Sequence, residues 1–374
     1  MIKTPLCLCL CLAAALSVGP SAATMAPAAR EGIQRPAPRT SAGTTPLPRG
    51  IAGDPMAPWP TEEWSTASPE SQGMDPTVLR QAFVYAARRD SKGVVVIRNG
   101  YVVGQWYGRG WDDSTRQLGW SMAKSFTSAI VGMLMADGAI HSVHDPVYHY
   151  APQWDDSNHR PATLAHLLSM TSGIHWDSRS DGILLLRHPD KTRHALSQQM
   201  DRAPNTRWQY SNCGVQVLEE VVGNTAGVDA EVYAQEHLWG PIGMDSASWK
   251  RDDADNPWTF GGVVASTPDF AKFGYLYLRG GEWDGEQIVP TAWVAASTRP
   301  SQSLFPNYGY LWWLNRDRDR WPDVPADAYS AQGAKARRIY VIPSLDIVAV
   351  RLGAANNSWD DNTFLGQVSA SVQN

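Results

Sequence analysis

The hydrophobic pattern of the chain predicts an α+β fold. Strand-like segments joined by turns lie at residues 93–107 and 337–353, near the two ends of the region that is apolar enough to fold. Helix-like segments, in which apolar residues recur every three or four positions, fill most of the sequence between them. Strands near both ends with helices in the middle indicate one sheet assembled from distant segments of the chain.

The first strand pair is the segment GVVVIRNGYVVGQWY, residues 93–107. Asn99-Gly100 separates its two apolar runs, and this dipeptide favours the type I′ turn of a β-hairpin. We therefore predict a hairpin here.

A helix is predicted from residue 121 to residue 136. Apolar residues recur at helical spacing on one of its sides. The opposite side is polar and carries Ser121, Lys124, Ser125 and Ser128. This pattern is typical of a helix with one face in the core and the other lining a polar cleft. Gly138 is expected to end the helix.

The later elements follow from the same periodicities. Amphipathic helices are predicted at 163–170, at 214–222 with an end at Gly223, at 268–278 and at 360–372. Paired strands are predicted at 337–343 and 346–353, with Pro343-Ser344 in the turn between them.

The composition limits the classes of partner. The formal net charge is −5 and no cluster of Lys or Arg stands out, so the basic footprint of a nucleic-acid-binding protein is missing. An anionic membrane surface is disfavoured as a partner for the same reason. The content of hydrophobic residues, 43%, is ordinary for a globular protein with a core.

The N-terminus is typical of an export signal. Residues 1–23 combine Lys3, a short apolar run, and small residues at Ser21 and Ala23, where a signal peptidase would cleave. Because the apolar run is short for a bilayer span, a retained anchor is the less favoured alternative. We predict a periplasmic or secreted protein with no stable membrane insertion after processing.

Two further regions follow the predicted signal peptide. Residues 24–62 contain eight prolines, a composition that cannot fold alone, and are interpreted as a linker or a surface arm. Residues 63–374 show no internal repeat or second low-complexity break, which favours one domain. Cys213 is the only cysteine outside the signal, so no intramolecular disulfide is expected.

Ser121 lies in two overlapping motifs that belong to different hydrolase folds. GWSMA, residues 119–123, is close to the G-x-S-x-G elbow of α/β-hydrolases, whose catalytic histidine comes late in the chain. The last histidine here is His237, and no clear strand leads directly into Ser121. The elbow interpretation is therefore rejected.

The alternative is the S-x-x-K motif SMAK, residues 121–124. Residues three apart share a face of a helix, so Lys124 can bring its amine to the Ser121 hydroxyl and take its proton. The Ser121 backbone N–H, at the helix start, can also donate to a developing oxyanion. An isolated match is more often a capping serine with a surface lysine.

The segment Tyr210-Ser211-Asn212, just before a predicted helix, supports the catalytic interpretation. Tyrosine and lysine both have reference pKa values near 10, so a neighbouring pair titrates together and either group can hold the serine proton. Asn212 can hydrogen-bond Lys124 or a substrate amide. The alternative for Tyr210 is a half-buried aromatic residue with a satisfied hydroxyl.

These segments resemble the serine β-lactamase and penicillin-binding-protein superfamily, in particular its class C-like branch of esterases and 6-aminohexanoate-dimer hydrolases. LGWSMAKSFTSAIVGMLMADG (118–138) is similar to the first family motif, and WQYSNCGVQVLEEVVGNTAG (208–227) to the second, Y-x-N. The resemblance covers most of residues 65–370. It implies an antiparallel sheet flanked by helices, a helical subdomain, and an acyl-enzyme mechanism in a site between them.

The third family motif, K-T-G, is replaced by Ala331-Gln332-Gly333. The resemblance implies that Gly333 keeps a close backbone approach, that the Ala334 N–H is the second oxyanion donor, and that Gln332 lines the substrate site. The family lysine, which helps bind a substrate carboxylate, is missing. Its loss disfavours β-lactams and D-Ala-D-Ala peptides as substrates.

Two nearby cations could replace the missing lysine. Lys335 and Arg337 either recover an anion contact or face solvent, and both possibilities stay open because a strand edge alternates between faces.

The predicted function is that of an exported serine hydrolase acting on a small-molecule ester or amide. Ser121 is the expected nucleophile, Lys124 and Tyr210 take its proton, and the N–H groups of Ser121 and Ala334 hold the oxyanion. The alternatives are a class C β-lactamase or D,D-peptidase, and a non-catalytic relative that binds peptidoglycan fragments.

Neither a metal nor a cofactor is expected. His141, His144 and His149 match no metal-binding spacing and are interpreted as surface residues. The oligomeric state is not predicted.

Overall fold

The computed structural model describes residues 58–354 and 358–373. The signal peptide predicted at 1–23, and the predicted arm at 24–62 except for its last five residues, therefore lie outside the described residues.

The described end of the predicted arm lies against the domain. The ring of Trp59 is 5.6 Å from that of Tyr275 and 5.3 Å from that of Trp283. Thr61 accepts hydrogen bonds from Trp283 Nε1 at 2.8 Å and from Lys272 Nζ at 3.1 Å. These contacts hold the chain on the surface just before the predicted domain begins.

The strands form one large sheet and two small ones. In chain order they are β1 (Ser91–Arg98), β2 (Tyr101–Tyr107), β3 (Gln117–Leu118), β4 (Ser248–Trp249), β5 (Val263–Ala265), β6 (Glu282–Trp283), β7 (Glu286–Gln287), β8 (Trp313–Leu314), β9 (Tyr329–Gly333), β10 (Arg337–Ile342) and β11 (Ile347–Gly353). The large sheet has the order β2-β1-β11-β10-β9-β8 and is antiparallel throughout. β1 therefore pairs with β11, from the far end of the chain, as the predicted α+β fold requires.

Helices cover both faces of this sheet and form a helical subdomain between α2 and β4. In chain order they are α1 (Pro76–Ala87), α2 (Ala123–Ala136), α3 (Leu164–Leu168), α4 (Leu185–Arg187), α5 (Lys191–Leu196), α6 (Asn212–Ala226), α7 (Ala230–Ala234), α8 (Thr267–Leu278), α9 (Thr291–Ser297) and α10 (Asp361–Ala370). A 3₁₀ turn at Trp120–Met122 leads into α2, and a π turn occupies Arg179–Leu184.

Alternate side chains of the sheet enter two separate cores. Val95 and Ile97 of β1 pack into the core shared with α2, α6 and α8. Val94 and Val96 pack into the core closed by α1 and α10. Because both faces are buried, β11 is buried along its whole length. This arrangement confirms the predicted antiparallel sheet with flanking helices.

Several predicted elements are confirmed. The β1–β2 hairpin turns at Asn99 and Gly100, whose φ values of +53° and +85° suit the type I′ turn. The paired strands β10 and β11, and the helices α8 and α10, lie where their periodicity placed them. The helix α1, between the predicted arm and the first hairpin, was not predicted.

Two predictions about helices are wrong. α6 does not end at Gly223 but continues to Ala226, where Gly227 adopts φ +74° as its cap. The polar side of α2 does not line an open cleft, because every residue from Ala123 to Leu134 is buried. Ser125, for example, donates to the Leu311 carbonyl at 2.8 Å. Segments distant in the chain, such as the one that carries Leu311, cover the side of α2 that its sequence alone would expose.

None of the helices within residues 58–354 and 358–373 combines the length and the apolar character needed to cross a bilayer.

A buried carboxyl group in α6 makes the stability of the protein pH-dependent. Burial raises the pKa of Glu219 to about 8, from an ordinary value of 4.5. Its Oε1 accepts from the Ala230 N–H at 3.3 Å, and Oε2 has no hydrogen-bond partner in the described structure. The native protein keeps a proton that the unfolded chain releases above pH 4.5, so the free energy of unfolding falls as the pH rises towards 8.

We expect Glu219→Gln to stabilise the protein at pH 8 and to flatten this dependence. The neutral amide cannot titrate, so the variant lacks the fall in the free energy of unfolding that Glu219 causes. That fall is at most about 1.4 kcal/mol per pH unit between the pKa of the unfolded chain and that of the native protein. Urea unfolding from pH 5 to pH 8 measures the effect, with the half-buried neighbour Glu220→Gln as the control. Parallel pH profiles for wild type and Glu219→Gln would contradict the prediction.

Candidate active site

Ser121 lies in the 3₁₀ turn that precedes α2. Trp120, directly before it, has φ +53°, a left-handed conformation that a bulky residue rarely adopts. Backbone strain of this kind concentrates at functional sites. The two-residue strand β3 ends at Leu118, three residues before Ser121, and Gly119 and Trp120 separate the two. The contacts of Ser121 favour the S-x-x-K interpretation.

Lys124 lies in the first turn of α2, one turn after Ser121, and is 1% exposed. Its Nζ is 3.1 Å from Ser121 Oγ and donates to Asn212 Oδ1 and the Phe260 carbonyl, each at 2.7 Å. In its neutral form the amine can give its two hydrogens to these oxygens and accept the serine proton with its lone pair. A surface lysine, the alternative for this motif, is therefore wrong.

Tyr210 covers the same amine from the subdomain side. Lys124 Nζ lies 4.8 Å from the centre of the Tyr210 ring. Trp313 stacks on the same ring at 5.8 Å with an interplanar angle of 23°, and the rings of Trp208 and Tyr308 each lie 6.4 Å from it. The structure thus brings Ser121, Lys124, Tyr210 and Asn212 together from segments that are almost ninety residues apart in the chain.

Asp181 organises the Tyr210–Asn212 segment and was missed by the sequence analysis. Its buried carboxylate accepts hydrogen bonds from Ser211 Oγ and from the backbone N–H groups of Asn212 and Cys213, at 2.8–2.9 Å. The Asn212 side-chain amide also donates to the Asp181 carboxylate and carbonyl, both at 3.1 Å. The Asn212 Oδ1 atom is thereby turned towards Lys124. No sequence motif identifies Asp181, because the residues that it binds lie about thirty positions later in the chain and form no fixed pattern with it.

The third motif lies beside the backbone that leads into Ser121, with Gly333 against Gly119 and Trp120. A Cβ atom at Gly333 would overlap the carbonyl oxygen of Gly119, so only glycine permits the observed approach. Ala334 follows Gly333 in the half-buried turn after β9. Gln332 donates its side-chain amide to Ser330 Oγ at 2.9 Å. The close approach predicted for Gly333 is thus observed.

Arg337 does not replace the missing lysine. Its guanidinium is buried and donates to the carbonyls of Leu118 and Gly353. Burial lowers the pKa of Arg337 to about 10. Because this side chain supports the backbone, the possibility of an anion contact is left to Lys335, which lies in the half-buried turn.

The other candidates are not close to this chemistry. Burial raises the pKa of the Cys213 thiol well above its ordinary value, so the thiol stays protonated and the cysteine is a buried packing residue. His141, His144 and His149 are exposed. Within the described part of the chain, no group of three or more His, Cys, Asp or Glu side chains could hold a metal ion.

Comparisons with known proteins give a family match and a curated relative. The sequence profile of the family described as Beta-lactamase matches residues 70–368, which include every predicted site residue. The 6-aminohexanoate-dimer hydrolase of Paenarthrobacter ureafaciens is 24% identical over 300 residues, covering 71% of this chain and 72% of that protein.

Solved structures show the same fold. EstCE1, a hydrolase with promiscuous acyltransferase activity, is similar with a TM-score of 0.65 and 15% identity, over 82% of this chain and 98% of that one. A penicillin-binding protein from Bacillus halodurans is similar with a TM-score of 0.61 and 18% identity, over 78% of this chain and 99% of that one.

Proposed function

Because this chain belongs to the beta-lactamase family and is a hydrolase of that fold, we propose that it is an exported serine hydrolase that cleaves a small-molecule ester or amide. The observation that carries the proposal is the contact of Lys124 Nζ with Ser121 Oγ at 3.1 Å, with two further oxygens placed to receive the hydrogens of the amine. Export rests on residues 1–23 alone.

In the proposed reaction, Ser121 Oγ forms a bond to the substrate carbonyl carbon while its proton passes to Lys124. The resulting ammonium can donate to Asn212 Oδ1 and the Phe260 carbonyl, so the transferred charge is solvated by the protein. The carbonyl oxygen becomes an oxyanion that the N–H groups of Ser121 and Ala334 would bind.

The second half of the reaction releases the product. The proton held by Lys124 and Tyr210 passes to the leaving oxygen or nitrogen as its bond to the carbonyl carbon breaks, which leaves an acyl group on Ser121. Water then attacks the acyl carbon and gives a proton to the same base. The bond from that carbon to Ser121 Oγ breaks, Oγ takes the proton back from the base, and the free acid leaves. Atoms and charge balance without a metal or a redox partner.

The cations near the site support the proposed substrate class. The family lysine of the third motif is absent, and Arg337 is engaged by two carbonyls. With Lys335 the one of these cations left to meet an anion, we propose that a substrate without a carboxylate next to the reacting bond suits the site better than a β-lactam or a D-Ala-D-Ala peptide. Turnover of nitrocefin or release of D-alanine at rates above those with simple esters would favour the alternatives.

A fluorophosphonate probe tests the covalent step directly. We expect one adduct on Ser121, found by mass spectrometry, and none in Ser121→Ala. Ser125, one turn away with its hydroxyl bound to the Leu311 carbonyl, is an internal control that should stay unlabelled. An unlabelled Ser121 in folded protein would overturn the proposal and favour a non-catalytic binding protein.

A further inference from the structure

The turn between β9 and β10 has a backbone that its residues do not favour. Lys335 has φ +63° and Ala336 has φ +52°, both in the left-handed region that suits glycine or asparagine. Two such residues in succession persist only where the surrounding structure holds them. The same turn carries Ala334, the second oxyanion donor of the proposed function.

Arg351 of β11 holds both strained residues. Its Nη1 donates to the carbonyl oxygens of Lys335 and Ala336, at 3.0 Å and 2.8 Å. Its Nη2 donates to the Arg89 carbonyl at 2.6 Å, and its Nε donates to Ser91 Oγ at 3.0 Å. The side chain is fully buried, so these oxygens replace water around the guanidinium. The guanidinium is thus placed where its hydrogen-bond partners within the described residues are mainly backbone oxygens.

Arg338 holds the peptide unit that contains the Ala334 N–H. Its Nη1 donates to the Gly333 carbonyl at 2.7 Å, and its Nε is held by Asp361 Oδ1 at 3.2 Å. In a trans peptide the N–H points away from the C=O of the same unit. A hydrogen bond to the Gly333 oxygen therefore fixes the direction of the Ala334 N–H, next to the backbone that leads into Ser121.

We propose that Arg351 and Arg338 are positioning residues that aim the Ala334 N–H at the oxyanion formed on Ser121. This inference rests on the proposed function. A donor that is held in place before the reaction needs no reorganisation as charge develops, which is the source of its catalytic effect. The two arginines provide this rigidity in a turn whose own residues would otherwise relax.

Arg351→Met is expected to lower kcat for p-nitrophenyl acetate by about 10- to 100-fold, short of the roughly 10²–10³-fold that follows loss of a whole oxyanion-hole donor. KM should change little, because the donor acts mainly on the transition state. Rates are counted per active site, titrated with the fluorophosphonate probe.

A rescue experiment separates positioning from a general structural role. Adding Lys335→Asn and Ala336→Gly supplies the dipeptide that prefers positive φ at both positions. We expect this change to restore most of the lost kcat, although the guanidinium is still absent. If Arg351→Met does not fold, Arg351→Lys, which keeps the positive charge, is used in its place. We then expect a smaller loss of kcat and the same recovery when Lys335→Asn and Ala336→Gly are added.

Two further variants complete the experiment. Arg338→Met should also lower kcat at nearly constant KM. Arg279→Met is the matched control, since Arg279 pairs with Asp346 at 2.7 Å and has no contact with the turn in the described structure, and its kcat should equal that of wild type.

The outcomes separate this inference from the proposed function. Wild-type protein that neither turns over the ester nor accepts the probe would overturn both. Active wild type, with kcat unchanged in Arg351→Met or with no recovery in the rescued variant, would overturn the positioning role alone.

Discussion

Replacing Lys124 with methionine is expected to lower kcat/KM for a p-nitrophenyl ester by about 10²–10⁴, the usual contribution of a general base. The amine is the group within 3.1 Å of Ser121 Oγ, and methionine fills its space without accepting a proton. Stability should fall by only about 1–3 kcal/mol, because Asn212 Oδ1 and the Phe260 carbonyl lose a donor inside the protein. Initial rates and urea unfolding of the same preparation measure both effects.

Lys272 provides a matched control for this prediction. It is also buried, and its amine donates to the carbonyls of Gly243 and Thr61 and lies 3.5 Å from the Asp269 carboxylate, so its partners in the described structure include no residue of the site. Lys272→Met should reduce stability and leave kcat/KM unchanged. Full activity in Lys124→Met, or an equal loss in both variants, would exclude Lys124 as the base.

Asp181→Asn is expected to lower kcat/KM by about 10², although Asp181 does not contact the reacting atoms. The substitution keeps the shape of the side chain but places an amide donor against the N–H and O–H donors of Ser211, Asn212 and Cys213. Misplacement of a catalytic segment by about 1 Å can cost this much. Loss of charge-assisted hydrogen bonds should also lower the free energy of unfolding by about 3 kcal/mol.

The control for Asp181→Asn is Asp229, whose carboxylate also accepts hydrogen bonds from backbone N–H groups at the start of a helix but lies in a different part of the fold. Asp229 accepts from the N–H groups of Glu231 and Val232 at the start of α7. Asp229→Asn should destabilise the protein and leave kcat/KM of the folded enzyme unchanged. If the two variants lose activity only in proportion to their unfolded fraction, Asp181 has no positioning role.

Local sequence patterns were sufficient to predict those elements whose structure depends on residues close together in the chain. The Asn99-Gly100 hairpin and the strands β10 and β11 were predictable because turn chemistry and side-chain alternation act over a few residues. The same holds for Ser121 and Lys124, whose spacing of three residues keeps them on one side of the chain.

Predictions failed where burial came from a distant segment. The polar side of α2 had the pattern of a cleft-lining surface, yet Ser125 is enclosed and bound to the carbonyl of Leu311. Arg337 could have faced a substrate, but the backbone of Leu118 and Gly353 receives its donors. Periodicity describes the faces of one element and does not say what packs against them.

The sequence by itself determined the chemical groups of the proposed site: an alcohol, an amine three residues later, and a Tyr-Ser-Asn segment almost ninety residues further on. Only the tertiary structure decided that Asn212 and the Phe260 carbonyl meet the amine, and that Asp181 holds Asn212 in place. The physical reason is that a hydrogen bond depends on distance, direction and burial, and for partners far apart in the chain these are set by the packing of the whole domain.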